Sequence, residues 1–385
     1  MAFATIDLTK GITGVLPSAN ATYSTPRKNA KPLIINGNMA VAQRGTSFTS
    51  NGYTVDRFTF DESTDGAVTV TQDSTVPSGQ GFGKSVKFDV TTADSSIGAD
   101  QYCQWTQFIE GQNLQLLKYG TSSAENLTLA FWVRSNKTGT YGVRFVKEAG
   151  GQTRYECPIE YSISSADTWE KKIINLSPTA GSTTFITNSA GAIVNSNASG
   201  YRIAWILTSG SNKHGTNNTW TTTSDRMGTT NQVNFLDNTS NELYITGVQL
   251  EVGEFTSATL PPFQHESFAD NLARCQRYFQ MIAEGNQKII SMAHWGSSTE
   301  VDFVVELPTT MRARPTLDYT TGNEYWAIGG SGGSTNTLDN LNVNTWSTDS
   351  NINLWSTTGA GGTAGYAYYG YTNNASAKLG FTSEL

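Results

Sequence analysis

Three acids near residue 300 are the first groups whose spacing admits chemistry. Glu300, Asp302 and Glu306 interleave with Val301, Phe303 and Val305. On a strand that pattern puts the acids on one face, with Glu300 and Asp302 about 7 Å apart from the strand repeat. Such a separation suits the acid and base of an inverting glycosidase. Alternating strands also carry acids on a wet face for solubility alone, and the pattern reads first as that. His214, His265 and His294 are the only histidines. None stands at the spacing of a zinc helix or beside a triad nucleophile, so metal and triad chemistry have little to draw on. The segment SGQGFGKS, Ser78 to Ser85, approaches a phosphate loop. Ser78 occupies the place of the first glycine, however, and the SVKFDV that follows has the alternation of a strand, whereas a phosphate loop needs a helix N-terminus. It reads as a β-turn. Cys103, Cys157 and Cys275 are odd in number, widely spaced and without a CxxC pair, giving neither a disulfide framework nor a zinc signature. All three read as reduced, and Cys275 as a small core hydrophobe. No catalytic residue and no cofactor is assigned, and the sequence singles out no metal site.

Rings are the more suggestive groups. Trp326, Trp346 and Trp355 lie in a loop-rich final third, followed by GYAYYGY with Tyr366, Tyr368, Tyr369 and Tyr371. Flat rings flanked by Asn, Thr and Asp can stack on a sugar while amides bind its hydroxyls. Trp326, Trp346, Trp355, Tyr366 and Tyr368 are therefore the candidate receptor-binding residues. Alternation puts Tyr366 and Tyr368 opposite Tyr369 and Tyr371, so some of these rings must pack inward.

The elements that position these groups are strands. The chain has 385 residues, 15% of them charged and 37% hydrophobic, with 37 glycines, the composition of turn-rich sheets; its length predicts two folded units plus a tail. A formal charge of -7 and the absence of clustered Lys and Arg argue against nucleic acid. No apolar run spans a bilayer and the first residues lack signal-peptide order, so synthesis in a cytoplasm without membrane insertion is expected. Period-two alternation places Val68 and Val70 on one face, then Val86, Phe88 and Val90, then Leu127, Leu129, Phe131 and Val133, then Tyr201, Ile203, Trp205 and Leu207. Many short strands with Gly, Asn and Ser turns predict an all-β fold, an antiparallel jelly-roll sandwich over residues 33–262. One helix is predicted from about Phe268 to Gln280, with Ser267 as N-cap and Phe268, Leu272, Cys275 and Phe279 along a stripe. It begins a unit, 263–385, whose remainder is a smaller C-terminal β-domain. There Val301, Phe303, Val305 and Leu307 form one buried face, AIGGSGGSTNTLDN reads as a long loop, and SAKLGFTSEL ends the chain as a strand. Residues 1–32 show no periodicity and read as an extended segment that is disordered or orders on docking.

Five blocks, in order, carry a resemblance: NGNMAVAQRGTSF from Asn36, GYTVDRF from Gly52, TGVQLEVG from Thr246, CQRYFQ from Cys275, and VELPTTMRARPTL with the terminal SEL. Together they resemble bacteriophage virion proteins, particularly tail fibres carrying a carbohydrate-binding β-sandwich. Phe58 stands where many relatives carry Trp after the Asp-Arg pair, a conservative change. The opening MAFATIDLTKGITGVLP is similar to segments by which such fibres attach to the particle.

The resemblance implies a short tail fibre without enzymatic activity, located on the exterior of the virion. Its implied partners are two further copies of itself in a homotrimer, phage tail or head proteins through the N-terminal segment, and a host cell-surface glycan. Ile6, Leu8, Ile12 and Leu16 are the candidate virion-docking residues. The same resemblance admits a head or baseplate decoration protein that binds no receptor. A surface-polysaccharide depolymerase working through Glu300, Asp302 and Glu306 is a third reading. No heptad or triple-β repeat is present, which favours a short appendage over a long shaft.

Overall fold

Residues whose alternation is strict become strands, and residues whose alternation breaks become the seam between two β-modules. The computed structural model describes residues 31–329, 335–357, 359 and 361–385. Ile6, Leu8, Ile12 and Leu16 lie outside the described residues. The first module runs through β1 (Ser47–Phe48), β2 (Gly52–Tyr53), β3 (Phe58–Glu62), β4 (Ala67–Asp73), β5 (Ser85–Thr92) and β6 (Tyr102–Glu110). It continues through β7 (Leu127–Ser135), β8 (Gly139–Lys147), β9 (Tyr155–Ile163), β10 (Glu170–Leu176), β11 (Ser199–Ser209) and β12 (Glu242–Val252). These divide into two six-stranded antiparallel sheets, of order β1-β4-β5-β12-β7-β10 and β2-β3-β6-β11-β8-β9. Because consecutive strands repeatedly change sheet, the sandwich has the jelly-roll character expected of it.

The expected inward faces are buried, from Val68 and Val70 to Tyr201, Ile203, Trp205 and Leu207. Large rings fill the space between the sheets. Phe58 stacks on Trp105 at 4.0 Å and nearly parallel, and Phe131 meets Trp205 edge-on at 5.6 Å. Each such ring removes on the order of 200 Å² from water, and their offset and T-shaped contacts add to that burial. Ser78 to Ser85 forms a turn leading into β5, as its composition implies.

Helix α1 spans Phe268–Gln276, and the Ser267 hydroxyl caps it by accepting from the Asp270 amide at 3.1 Å. It ends four residues earlier than expected. The Tyr278 amide turns back to the Cys275 carbonyl, and Phe279 already pairs with Thr382 in a sheet. Only part of the anticipated stripe is covered, since Cys275 is fully buried while Phe268 is exposed.

The second module comprises β13 (Phe279–Glu284), β14 (Ile289–Trp295), β15 (Val301–Glu306), β16 (Thr316–Tyr319) and β17 (Trp326–Gly329). After these come β18 (Thr335–Leu338), β19 (Asn342–Val343), β20 (Asn351–Ser356), β21 (Ala367–Thr372) and β22 (Lys378–Thr382). A three-stranded sheet, β13-β22-β16, accompanies a curled seven-stranded sheet, β18-β17-β21-β14-β15-β20-β19. Val301, Phe303, Val305 and Leu307 are buried as the alternation requires, among Trp295, Leu354 and Phe381. The long loop expected at AIGGSGGSTNTLDN is instead a hairpin in which Trp326–Gly329 pairs with Thr335–Leu338. Its apolar Ala327 and Ile328 are covered, which outweighs the turn-forming composition around them. No helix among the described residues is long and apolar enough to cross a membrane.

Candidate functional site

The five blocks converge on the seam between the modules. Asn36 is left-handed (φ 60°), and its amide donates to the Val41 and Asp56 carbonyls at 2.9 and 3.0 Å while its oxygen accepts from the Val41 amide. From α1, the Asn271 oxygen accepts the Asn36 amide at 3.1 Å. Gly37 lies against the Val248 backbone, whose amide donates to the Gly37 carbonyl at 2.8 Å, and a Cβ there would strike that backbone. The NGN block is therefore a clip between β12 of the sandwich and α1.

The charged members of the blocks hold the second module. Arg57, 1% exposed and left-handed (φ 74°), lies 3.4 Å from the centroid of the Tyr278 ring. It donates to the Phe108 carbonyl at 2.8 Å and pairs with Glu384, two residues after β22. Burial pulls its pKa down, but the Glu384 carboxylate together with Tyr278, Tyr53 and Cys275 more than restores it, and the guanidinium stays above its ordinary value. Arg44 lies over Phe279 at 3.6 Å. Glu110 accepts from Arg277 at 2.8 and 2.9 Å and from the Tyr278 hydroxyl at 2.5 Å. Burial pushes its carboxyl up, yet these bonds outweigh burial and leave it below the usual range. Sequence reasoning gave Arg57, Glu110, Arg277, Tyr278 and Glu384 no individual roles.

The candidate rings fall in three environments. Trp326 is fully buried in the second module's core beside Tyr319, so it has no part in a surface, and Tyr368 is packed against the same core. Both were expected at a receptor face, and alternation about β17 and β21 turns them inward. Trp346 and Tyr366 project from loops at 82% and 62% exposure. Trp355 lies on the outer face of the curled sheet, opposite Asp302 of β15 and Asn342 of β19. The same face carries Tyr369, 5.7 Å from Tyr371 and paired across to exposed Met292. Tyr369 and Tyr371 thus replace Tyr368 as ring donors to that surface.

The acids are on this face too, but spread out. Asp302 and Glu306 flank exposed Val304 on β15, and Asp302 lies 3.9 Å from His294 Nε2. Glu300 precedes the strand, its carbonyl accepting from the Gly296 amide at 3.0 Å to close the turn. The other histidines serve locally: His214 Nε2 lies 3.0 Å from the Ser209 carbonyl, and His265 packs on Phe263 and Phe82. All three cysteines are buried as thiols, their pKa values raised by burial. Among the described residues no cluster of His, Cys, Asp and Glu could hold a metal ion.

No family model matches the sequence, and no curated protein matches it. Solved structures show distant likeness to parts or most of this chain. The enzymatically active domain of tailspike protein 4 from bacteriophage CBA120 gives a TM-score of 0.32 at 14% identity, over 57% of this chain and 21% of the tailspike chain. A family 11 carbohydrate-binding module from Clostridium thermocellum, solved with a mixed-linked tetrasaccharide, gives 0.29 at 12% identity, covering 55% of this chain and 97% of the module. A tandem CBM22 pair from Paenibacillus barcinonensis Xyn10C gives 0.29 at 9% identity, over 94% of this chain and 93% of the pair. Likenesses of this size assign no function.

Proposed function

We propose that this chain is a bacteriophage appendage protein, a short tail fibre that docks to the virion through residues 1–32 and recognises a host-surface glycan with its second module. One observation carries the reading. Of eight large apolar side chains exposed among the described residues, six belong to that module: Ile289, Met292, Val304, Trp346, Tyr366 and Tyr369. With partly exposed Trp355 lying across from Asp302 and Asn342 on the same sheet, the module offers what a saccharide asks for, flat apolar rings and hydroxyl partners. The reading assigns no catalysis, because the acids lie on an open sheet and not across a cleft. Assembly as a homotrimer would present three copies of the face, and multivalent contact compensates for weak single sites on repetitive glycans.

The test uses the full chain carrying Trp346→Ala, Trp355→Ala and Tyr369→Ala together. None of the three is fully buried, so folding should be retained. Adsorption to cells of the bacterium that supports the parent particle should fall by at least tenfold, with the unfolding midpoint little changed. Undiminished adsorption by the folded triple variant would end the assignment of this face.

A further inference from the structure

We infer a saccharide-ring subsite on the outer face of the sandwich's second sheet, completed by the last residue of the second module. The inference rests on the glycan-recognition reading but places a second site away from the ring face. Its floor follows from register. Tyr53, Thr59, Thr106 and Ala204 lie side by side across β2, β3, β6 and β11. Flanking rows on the same face hold larger groups: Asp61 beside Gln104 on one side, and Phe108 beside Arg202 on the other. Thr59 and Thr106, the small residues of that row that line the surface, leave a trough between the two larger rows, and a cavity of about 290 Å³ occupies it, with Tyr53 at its side. That is the lower end of the size of small-ligand sites, about 300 Å³, suited to one sugar ring.

The chemistry of the lining selects the ligand class. Thr106 lines the trough at 2% exposure, and its buried hydroxyl has no hydrogen-bond partner. A polar group so placed carries a desolvation cost that an incoming hydroxyl would relieve. Asp61 accepts from the Tyr102 hydroxyl at 2.9 Å and from the Gln104 amide at 3.3 Å, while Arg202 Nε lies 2.7 Å from Glu148. An anionic ligand would face the Asp61 carboxylate and have to break the Arg202–Glu148 pair, whereas a neutral polyol would not. Phe108, with the Arg202 guanidinium 5.5 Å from its ring centroid, and Tyr53 give the trough two aromatic walls. The Tyr53 hydroxyl donates to the Leu385 carbonyl at 2.9 Å, so the second module closes one end.

The experiment is saturation-transfer NMR and titration of the full chain with glucose, galactose, mannose, rhamnose and N-acetylglucosamine, with glucuronate as the charged comparison. Thr106→Val keeps the shape and removes the hydroxyl; Phe108→Leu removes the ring. At least one neutral sugar should bind in preference to glucuronate. Thr106→Val should weaken it by a factor of about 2–12, the worth of one neutral hydrogen bond. A Trp346→Ala with Tyr369→Ala variant, titrated alongside, reports the ring face separately. If no sugar binds the wild-type chain, or if affinity is indifferent to Thr106→Val and Phe108→Leu, the subsite is overturned. Affinity lost only in the Trp346 and Tyr369 variant would overturn the subsite while leaving the ring-face reading standing. Subsite binding intact with adsorption indifferent to the ring variants would do the reverse.

Discussion

Replacing Glu384 with Gln should cost far more than the loss of a surface ion pair, because its partner is sealed inside the seam. Arg57 is 1% exposed and the Glu384 side chain 6%. Arg57 retains the Phe108 carbonyl and the Tyr278 ring after the change, but neither carries a full countercharge. Stranding one partner of a buried pair costs about 3–5 kcal/mol. One term works in the opposite direction: Glu384 helps raise the carboxyl of buried Asp56, after burial itself, so the neutral variant eases Asp56 slightly. The lower end, about 3 kcal/mol, is therefore expected.

The assay is urea unfolding followed by tryptophan fluorescence, with Trp295 and Trp326 reporting from the second module's core. Glu384→Gln should lower the midpoint of the transition that includes those rings. Arg57→Met with Glu384→Gln should recover most of the loss, since replacing both members of a buried pair by uncharged groups is often neutral. A cost below about 1 kcal/mol, the range of exposed pairs, would show that the seam is open to water in solution and refute the reasoning.

Further outcomes follow from the same geometry. Gly37→Ala should destabilise the chain by several kcal/mol in urea unfolding, because the added Cβ meets the Val248 backbone, which cannot give way as a flexible side chain could. Burial lowers the Lys147 ammonium to about 8, with Glu148 opposing, so the unfolded chain holds a proton that the folded chain has lost between about pH 8 and 10.5. Stability should rise with pH across that window, and Lys147→Met should flatten the rise in a series of urea midpoints. Above pH 10 the sign reverses, since burial raises Tyr53 and Tyr102 to about 12 and their ionisation favours the unfolded chain. Thr106→Val should leave unfolding unchanged or raise the midpoint slightly, because the hydroxyl it removes has no hydrogen-bond partner in the folded chain.

How much of this was legible in the sequence depends on whether a residue's role is local. Val86, Phe88 and Val90 announce their buried face by alternation alone, and Ser267 with Asp270 announces the helix start, because strand and cap are set within a few residues. Trp326 and Trp346 could not be told apart in that way. Both follow polar, Asn-containing stretches, and what separates a core ring from an exposed one is that β17 pairs with β21, 45 residues or so downstream. The Thr106 trough was invisible for a similar reason: its lining comes from separate strands, and only the register across β2, β3 and β6 sets Tyr53, Thr59 and Thr106 in a row.

The seam is an intermediate case, and it explains why short blocks can carry a resemblance when the intervening strands do not. A sandwich strand tolerates many apolar side chains of similar volume. The seam does not, because Asn36 must satisfy three backbone groups at a left-handed position, Gly37 must leave room for Val248, and Arg57 must reach a carbonyl, a ring and a carboxylate from different elements. Each requirement admits one residue type or nearly so, and together they fix the order of the blocks along the chain. The blocks therefore specify how a sandwich is coupled to the module that follows it, and they leave the surface of that module free to differ. On this argument, exchanging the outer-face residues of β14, β15, β20 and β21 between proteins that share the blocks should transfer ligand preference without loss of stability, whereas exchanging a single block residue should do the opposite.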